Sequence, residues 1–115
     1  MNPDEMITEL KLTLPPVPKA AGVYKPVLIL GDLVYFSGHL PILSDGSMIT
    51  GRVGTELSVE EGAAAARHVG LSVLSSLKEK LGSLNQISSL VKLLGLVNAP
   101  SSFSEHPKAI NGCSE

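Results

Sequence analysis

The stretch KAAGVYKPVLILGDLVYFSGHLP, Lys19–Pro41, decides the fold. Val27–Leu30 and Leu33–Ser37 are apolar runs separated by Gly31-Asp32. A Gly-Asp connection of this length suits a type II′ hairpin turn, with glycine supplying the positive φ. Both runs are apolar on both faces, which predicts a central hairpin covered on each side.

On the N-terminal side, Glu9–Leu14 alternates, with Leu10, Leu12 and Leu14 on one side, and predicts a half-buried strand. Pro15, Pro16 and Pro18 end it, because proline cannot donate to a ladder. On the C-terminal side, Ser44–Ser47 is a turn signal. Met48–Val53 reads as a short third strand broken by Gly51. Ser58-Val-Glu-Glu61 fits a capping box. The helix it starts runs to about Leu81, with Gly82 as its stop. Ala63, Ala66, Gly70, Val73, Leu77 and Leu81 form a single apolar stripe on it. Gly70 costs about 1 kcal/mol against alanine in mid-helix, which a close approach to the sheet would explain.

Ile87–Val97 is nearly all apolar and reads as another strand, ended by Asn98-Ala-Pro100. Pro107 marks the first turn of a second helix, with Glu105 or His106 before it and Ala109, Ile110 and Cys113 as its apolar side. The expected class is α+β, with helices packed on one face of a sheet. Residues 1–18 form a strand and Pro-rich lead-in, and residues 19–115 the domain proper.

The 115 residues carry a net charge of −2, and no basic block interrupts the sequence. Phosphate neutralisation supplies most nucleic-acid affinity, so no nucleic-acid partner is expected. The single cysteine excludes an internal disulfide framework and fits a reducing compartment. The N-terminus lacks a signal or transit pattern, and no apolar run reaches the roughly 18 residues of a membrane span. A cytoplasmic protein with no membrane partner is the expectation.

Ala20-Ala-Gly-Val-Tyr24, followed by a hairpin ending Tyr35-Phe-Ser-Gly-His-Leu-Pro41, resembles the N-terminal signature of the RidA (YjgF, endoribonuclease L-PSP) family. Val91-Lys92 through Val97-Asn98, then Phe103 and Ile110-Asn-Gly-Cys-Ser-Glu115, resembles its next strand and second helix. Gly51-Arg-Val-Gly54 points to the YjgF/chorismate-mutase-like branch. The resemblance implies a chorismate-mutase-like fold, a homotrimer, and ligand clefts between subunits. It implies hydrolysis of enamines and imines to keto acids and ammonia, with no metal or organic cofactor. Tyr24 matches the cleft tyrosine. Ser37-Gly38-His39 matches a Ser-Gly-Gln lining, with His39 a departure. Asn111 matches the asparagine at the start of the second helix.

The resemblance also places a carboxylate-binding arginine and a water-positioning acid in later elements. Residues 19–115 are therefore expected to be an incomplete domain. The end of the second helix and two strands would be missing, and the chain would be inactive without that arginine. Arg52 and Arg67 sit in other elements. A guanidinium matters because its paired N–H donors hold a carboxylate in one orientation. The alternatives are a non-catalytic small-ligand-binding or scaffold trimer and, third, an endoribonuclease.

Simpler readings stand beside these. Tyr24 could be a half-buried structural tyrosine, and His39 a loop histidine with a backbone partner. His68 fits a solvated helix edge, and His106 a helix start. The histidines lack metal-ligand spacing. Cys113 fits packing better than reactivity. Glu60 and Glu61 are explained by the helix cap and dipole. Gly51, Gly54 and Gly62 form no phosphate loop, and Ser37 has no nucleophile elbow around it.

Overall fold

Ser58 and Glu61 cap one another in the computed structural model, which describes residues 1–115 apart from Pro18, Ala20 and Ala21. The Glu61 N–H donates to Ser58 Oγ at 3.1 Å, and the Ser58 N–H donates to Glu61 Oε1 at 3.0 Å. The order of helices and strands is α1 (Pro3–Glu9), β1 (Val27–Leu30), β2 (Leu33–Phe36), α2 (Val59–Leu81) and α3 (His106–Ser114), with a 3₁₀ turn at Leu84–Gln86. Gly82, at φ +82°, ends α2 as expected. The class is α+β.

The buried surface of α2 is wider than one stripe. Leu71, Ser72, Val73, Ser75, Ser76 and Leu77 are all buried. Several parts of the chain pack against this helix. The hairpin lies along its C-terminal half, where Val27, Val73, Leu77 and Leu84 form the core and Ile7, Val34, Phe36, Leu74 and Ile87 pack around them. The lead-in crosses it where Ser75 Oγ donates to the Pro15 carbonyl at 2.8 Å. Helix α3 covers the N-terminal half, with Cys113 beside Gly70. The close approach at Gly70 is therefore helix to helix, not helix to sheet.

The hairpin forms in the expected register, pairing Val27 with Phe36 and Leu30 with Leu33. Gly31 takes φ +61° while Asp32 stays out of the left-handed region, the sign pattern of a type II′ turn. Its expected burial on both faces is not found. On the inner face Val27, Val34 and Phe36 pack toward α2 while Ile29 stays exposed, and on the outer face Leu28, Leu30, Leu33 and Tyr35 are all exposed. Among the described residues the sheet has only these two strands.

The strand expected at Glu9–Leu14 is replaced by a helix end. Asn2 Oδ1 accepts the Glu5 N–H, Glu5 returns a bond to the Asn2 N–H, and Pro3 opens α1. The helix closes through Lys11 N–H to Thr8 O and Leu12 N–H to Ile7 O, with Lys11 at φ +54°. That pair of bonds is a Schellman closure with lysine in the usual glycine place. Asp4 then ties α1 to the end of α2 by accepting from Ser83 Oγ at 2.6 Å and the Leu84 N–H at 3.2 Å. Pro18 of the expected strand-ending prolines, and Ala20 and Ala21 of the tyrosine motif, lie outside the described residues.

Two further expected strands are absent. Met48–Val53 makes only isolated bridges, Ile42 with Met48 and Val53 with Leu57. Ile87–Val97 runs without regular hydrogen bonding, and Leu90, Val91, Leu94 and Leu96 are exposed. A strand needs a partner edge, and this segment pairs with neither outer edge of the hairpin. The segment instead crosses α3, with Gly95 against Ile110. Helix α3 starts as expected, with Glu105 before it, proline in its first turn and Ala109 buried.

The α2–α3 contact is limited by backbone. A Cβ at Gly112 would collide with the Ala63 carbonyl and Cα, which cannot swing aside. Gly112→Ala should cost roughly 1–3 kcal/mol by overpacking. Gly38→Ala is the control: a Cβ there meets nothing within 4 Å. Urea midpoints of the two variants measure the difference. For the α2 cap, Ser58→Ala should cost about 1 kcal/mol at neutral pH. The Ser58 N–H, and then its hydroxyl, hold the Glu61 carboxyl below its usual range. A lowered folded pKa stabilises fully above the unfolded value, roughly 4.3, and is lost as pH falls through the folded value. Urea melts at descending pH should therefore show the gap between wild type and Glu61→Gln shrinking in that acid window.

Candidate functional site

Beyond β2 the chain stays tied to the hairpin for one more residue. The Ser37 N–H donates to the Pro26 carbonyl at 3.0 Å, extending the ladder past Phe36. Ser37 Oγ reaches the same carbonyl only at 3.5 Å, which is too long to add much. Tyr24 precedes Pro26 by two residues, so the hairpin brings Tyr24 and Ser37 to the same end. The Tyr24 ring lies close to Gly22: a Cβ there would be 3.5 Å from it. Tyr24 is about half exposed.

His39 follows and is held on three sides. Its Nδ1 lies 2.7 Å from the Ser37 carbonyl, and its Nε2 2.9 Å from Ser76 Oγ on α2. Its ring meets Phe36 edge-on, with centroids 5.9 Å apart and planes at 80°. Both ring nitrogens of His39 thus have partners. Its backbone partner is the one the simpler reading named. Gly38, between Ser37 and His39, is exposed.

Asn111 stands apart from this group. It is the sixth residue of α3 rather than its start, and it is exposed. Its neighbours Gly112 and Cys113 meet α2 at Ala63 and Gly70. Ser76 lies about 9 Å farther along that helix and on a different face. Within one chain, Tyr24, Ser37, Gly38 and His39 share an edge that Asn111 does not reach.

Neither arginine joins that edge. Arg52 Nη2 donates to the Ala99 carbonyl at 3.2 Å. Arg67 is exposed on α2, nine residues before Ser76. That offset is half a turn and about 13 Å along the axis.

The residue that sequence reasoning missed is Ser76. It lies in Leu71–Leu77, LSVLSSL, where serines read as breaks in an apolar face. No spacing signal links it to His39, since the contact spans 37 positions.

The other titratable groups build no second centre. Cys113 sits in the last turn of α3, away from the N-terminal dipole, and burial pushes its thiol pKa up. His106 lies edge-on to Phe103, with centroids 5.0 Å apart. His68 is half-buried on α2 rather than fully solvated. Among the described residues no three His, Cys, Asp or Glu side chains could hold a metal ion together, and no helix is long and apolar enough to cross a membrane. An open hollow of about 240 Å³ lies between Leu14, Pro15 and Val17 of the lead-in and Ser75, Lys78 and Glu79 of α2. None of the candidate residues lines it.

Three comparisons place this geometry among known proteins. A crystal structure described as a putative endoribonuclease from Shewanella oneidensis MR-1 superimposes with a TM-score of 0.93 at 36% identity, covering 99% of this chain and 76% of that one. The protein Atu1372 from Agrobacterium tumefaciens, described as of unknown function, gives a TM-score of 0.83 at 36% identity, over 96% of this chain and 66% of that one. Protein TCP17 of Trypanosoma cruzi is 36% identical over 109 residues, which is 95% of this chain and 68% of that protein. The profile of the YjgF/chorismate mutase-like, putative endoribonuclease family matches residues 5–115. The chain belongs to that family.

Proposed function

We propose that this chain is a subunit of a homotrimer that binds small keto acids, and the imines and enamines related to them, in clefts between copies. In the complete site, water adds to the imine carbon, the carbinolamine collapses, and ammonia leaves with a keto acid as the other product. An enamine first takes a proton on carbon to become the imine. Such substrates are intrinsically reactive, so the site contributes mainly orientation. No metal or organic cofactor is needed for these steps. We place this activity in the cytoplasm, because the lone Cys113 suits a reducing compartment.

One observation carries the reading. Tyr24, Ser37, Gly38 and His39 stand at one end of the hairpin, with Tyr24 and Gly38 exposed, beside the exposed outer face of Leu28, Leu30, Leu33 and Tyr35. A contiguous apolar face of this kind favours burial against another surface. An edge that becomes a cleft only when that face is covered fits a site shared between copies.

The cationic clamp is the second element. Arg52 and Arg67 lie away from the edge, so these 115 residues supply no guanidinium beside Tyr24 within one chain. Tyr24 could pass a proton but could not fix a carboxylate. The 115-residue polypeptide is therefore read as inactive, and the same feature favours a second reading, a trimer that binds keto acids without turning over imines or acts as a scaffold. An endoribonuclease, the activity named in the Shewanella relative's description as a putative endoribonuclease, ranks third for this chain, because its net charge is −2 and it has no basic block.

A coupled serine-dehydratase assay tests the first reading. Keto-acid release should stay at background when the purified 115-residue polypeptide is added. Release that rises in proportion to added polypeptide would overturn the inactivity. Salt-sensitive RNA cleavage that survives repurification would promote the third reading instead.

A further inference from the structure

We propose that His39 is a positioning residue: its imidazole is fixed as the Nδ1–H tautomer and tethers the Ser37–Gly38 peptide to α2 through Ser76. The tether follows from the chemistry of its partners. The Ser37 carbonyl can only accept, so Nδ1, at 2.7 Å, carries the proton. In the neutral ring Nε2 then holds a lone pair, and the Ser76 hydroxyl, at 2.9 Å, donates into it. One ring thus spans from the backbone of its own loop to a helix 37 positions away.

A nucleophilic Ser76–His39 pair is the rival reading of the same contact, and burial decides against it. Ser76 is 3% exposed, inside the turns of α2 that are buried on most sides. A substrate carbonyl has no path to its hydroxyl. The bond is spent on placement.

What it places is Gly38. On one side Ser37 is held to Pro26 by the hairpin bond. On the other, His39 is held by Phe36 and Ser76. Gly38 is exposed, the space where its Cβ would stand is empty within 4 Å, and its N–H has no partner among the described residues. A peptide pinned at both ends that presents a free donor to open space suits an acceptor oxygen, such as a keto or carboxylate oxygen. This use of the tether rests on the ligand reading above; the tether itself does not.

The bridge needs one donor and one acceptor on a side chain of this reach. A glutamine amide supplies both, whereas alanine supplies neither. Two-bond ¹H–¹⁵N spectra of the 115-residue chain read the tautomer without any variant. Protonated Nδ1 with an acceptor-type Nε2 is expected, and an Nε2–H ring would overturn the tether. The Gly38 amide resonance should move in Ser76→Ala and His39→Ala and return close to wild type in His39→Gln. Indifference of that resonance to both alanine variants would also overturn it. Titration with 2-oxobutyrate should shift the Gly38 amide in wild type and His39→Gln but not in His39→Ala. A wild-type amide that ignores the keto acid while Nδ1 is protonated would sink the ligand reading and the use assigned to the tether, separately from its geometry.

Discussion

The turns Leu71–Leu77 of α2 are the surface on which the other elements rest. The hairpin core packs on Val73 and Leu77, the lead-in bonds to Ser75, and the loop after β2 bonds to Ser76. A two-stranded hairpin is marginal in water by itself. Its geometry here is therefore inherited from the helix. The serines among these turns are short enough to let three elements come close, but each buried hydroxyl is costly unless bonded. Ser75 and Ser76 meet that condition with the Pro15 carbonyl and His39. Ser72 does not: it is fully buried with no partner among the described residues, a penalty of about 1–3 kcal/mol that the surrounding apolar contacts offset.

Legibility in the sequence tracked how local each signal was. Ser58 with Glu61, Gly31-Asp32, Gly82 and Pro107 act within a few positions, and each marks the boundary it predicts. Glu9–Leu14 shows the opposite outcome. Asn2, Pro3 and Glu5 start a helix in the structure, which the leucine alternation after them does not announce. The end of α1 carries lysine rather than glycine at its left-handed position, so nothing in the residue type announced the reversal at Lys11. Ile87–Val97 has the composition of a strand, but composition does not supply a neighbouring edge. Gly70 marks a close approach, but to α3 rather than to the sheet, since sequence spacing does not say which element lies opposite.

The candidate site was legible in the same uneven way. Tyr24 and Ser37 fall together because a hairpin brings its ends together, which the turn already implied. Asn111 does not reach them within one chain, because α3 is anchored at Ala63 and Gly70. Ser76 was invisible, since a hydrogen bond across 37 positions leaves no periodic trace.

The exposed apolar surface and the open edge are one structural fact seen twice. Leu28, Leu30, Leu33 and Tyr35 face outward because α2 covers only the inner side of the hairpin. Leu90, Val91, Leu94 and Leu96 are exposed on a segment that pairs with no strand among the described residues. Burying such residues is worth about 25 cal/mol per Å² of apolar area, so a covering surface would be strongly favoured wherever one fits. A ligand edge beside that surface would then be walled by the same contact that buries it. On this view the chain's own contribution to a site is a rigid rim, the peptides around Gly38 held against α2. Affinity for a ligand should respond to changes on the buried face of that helix as well as to changes at the rim.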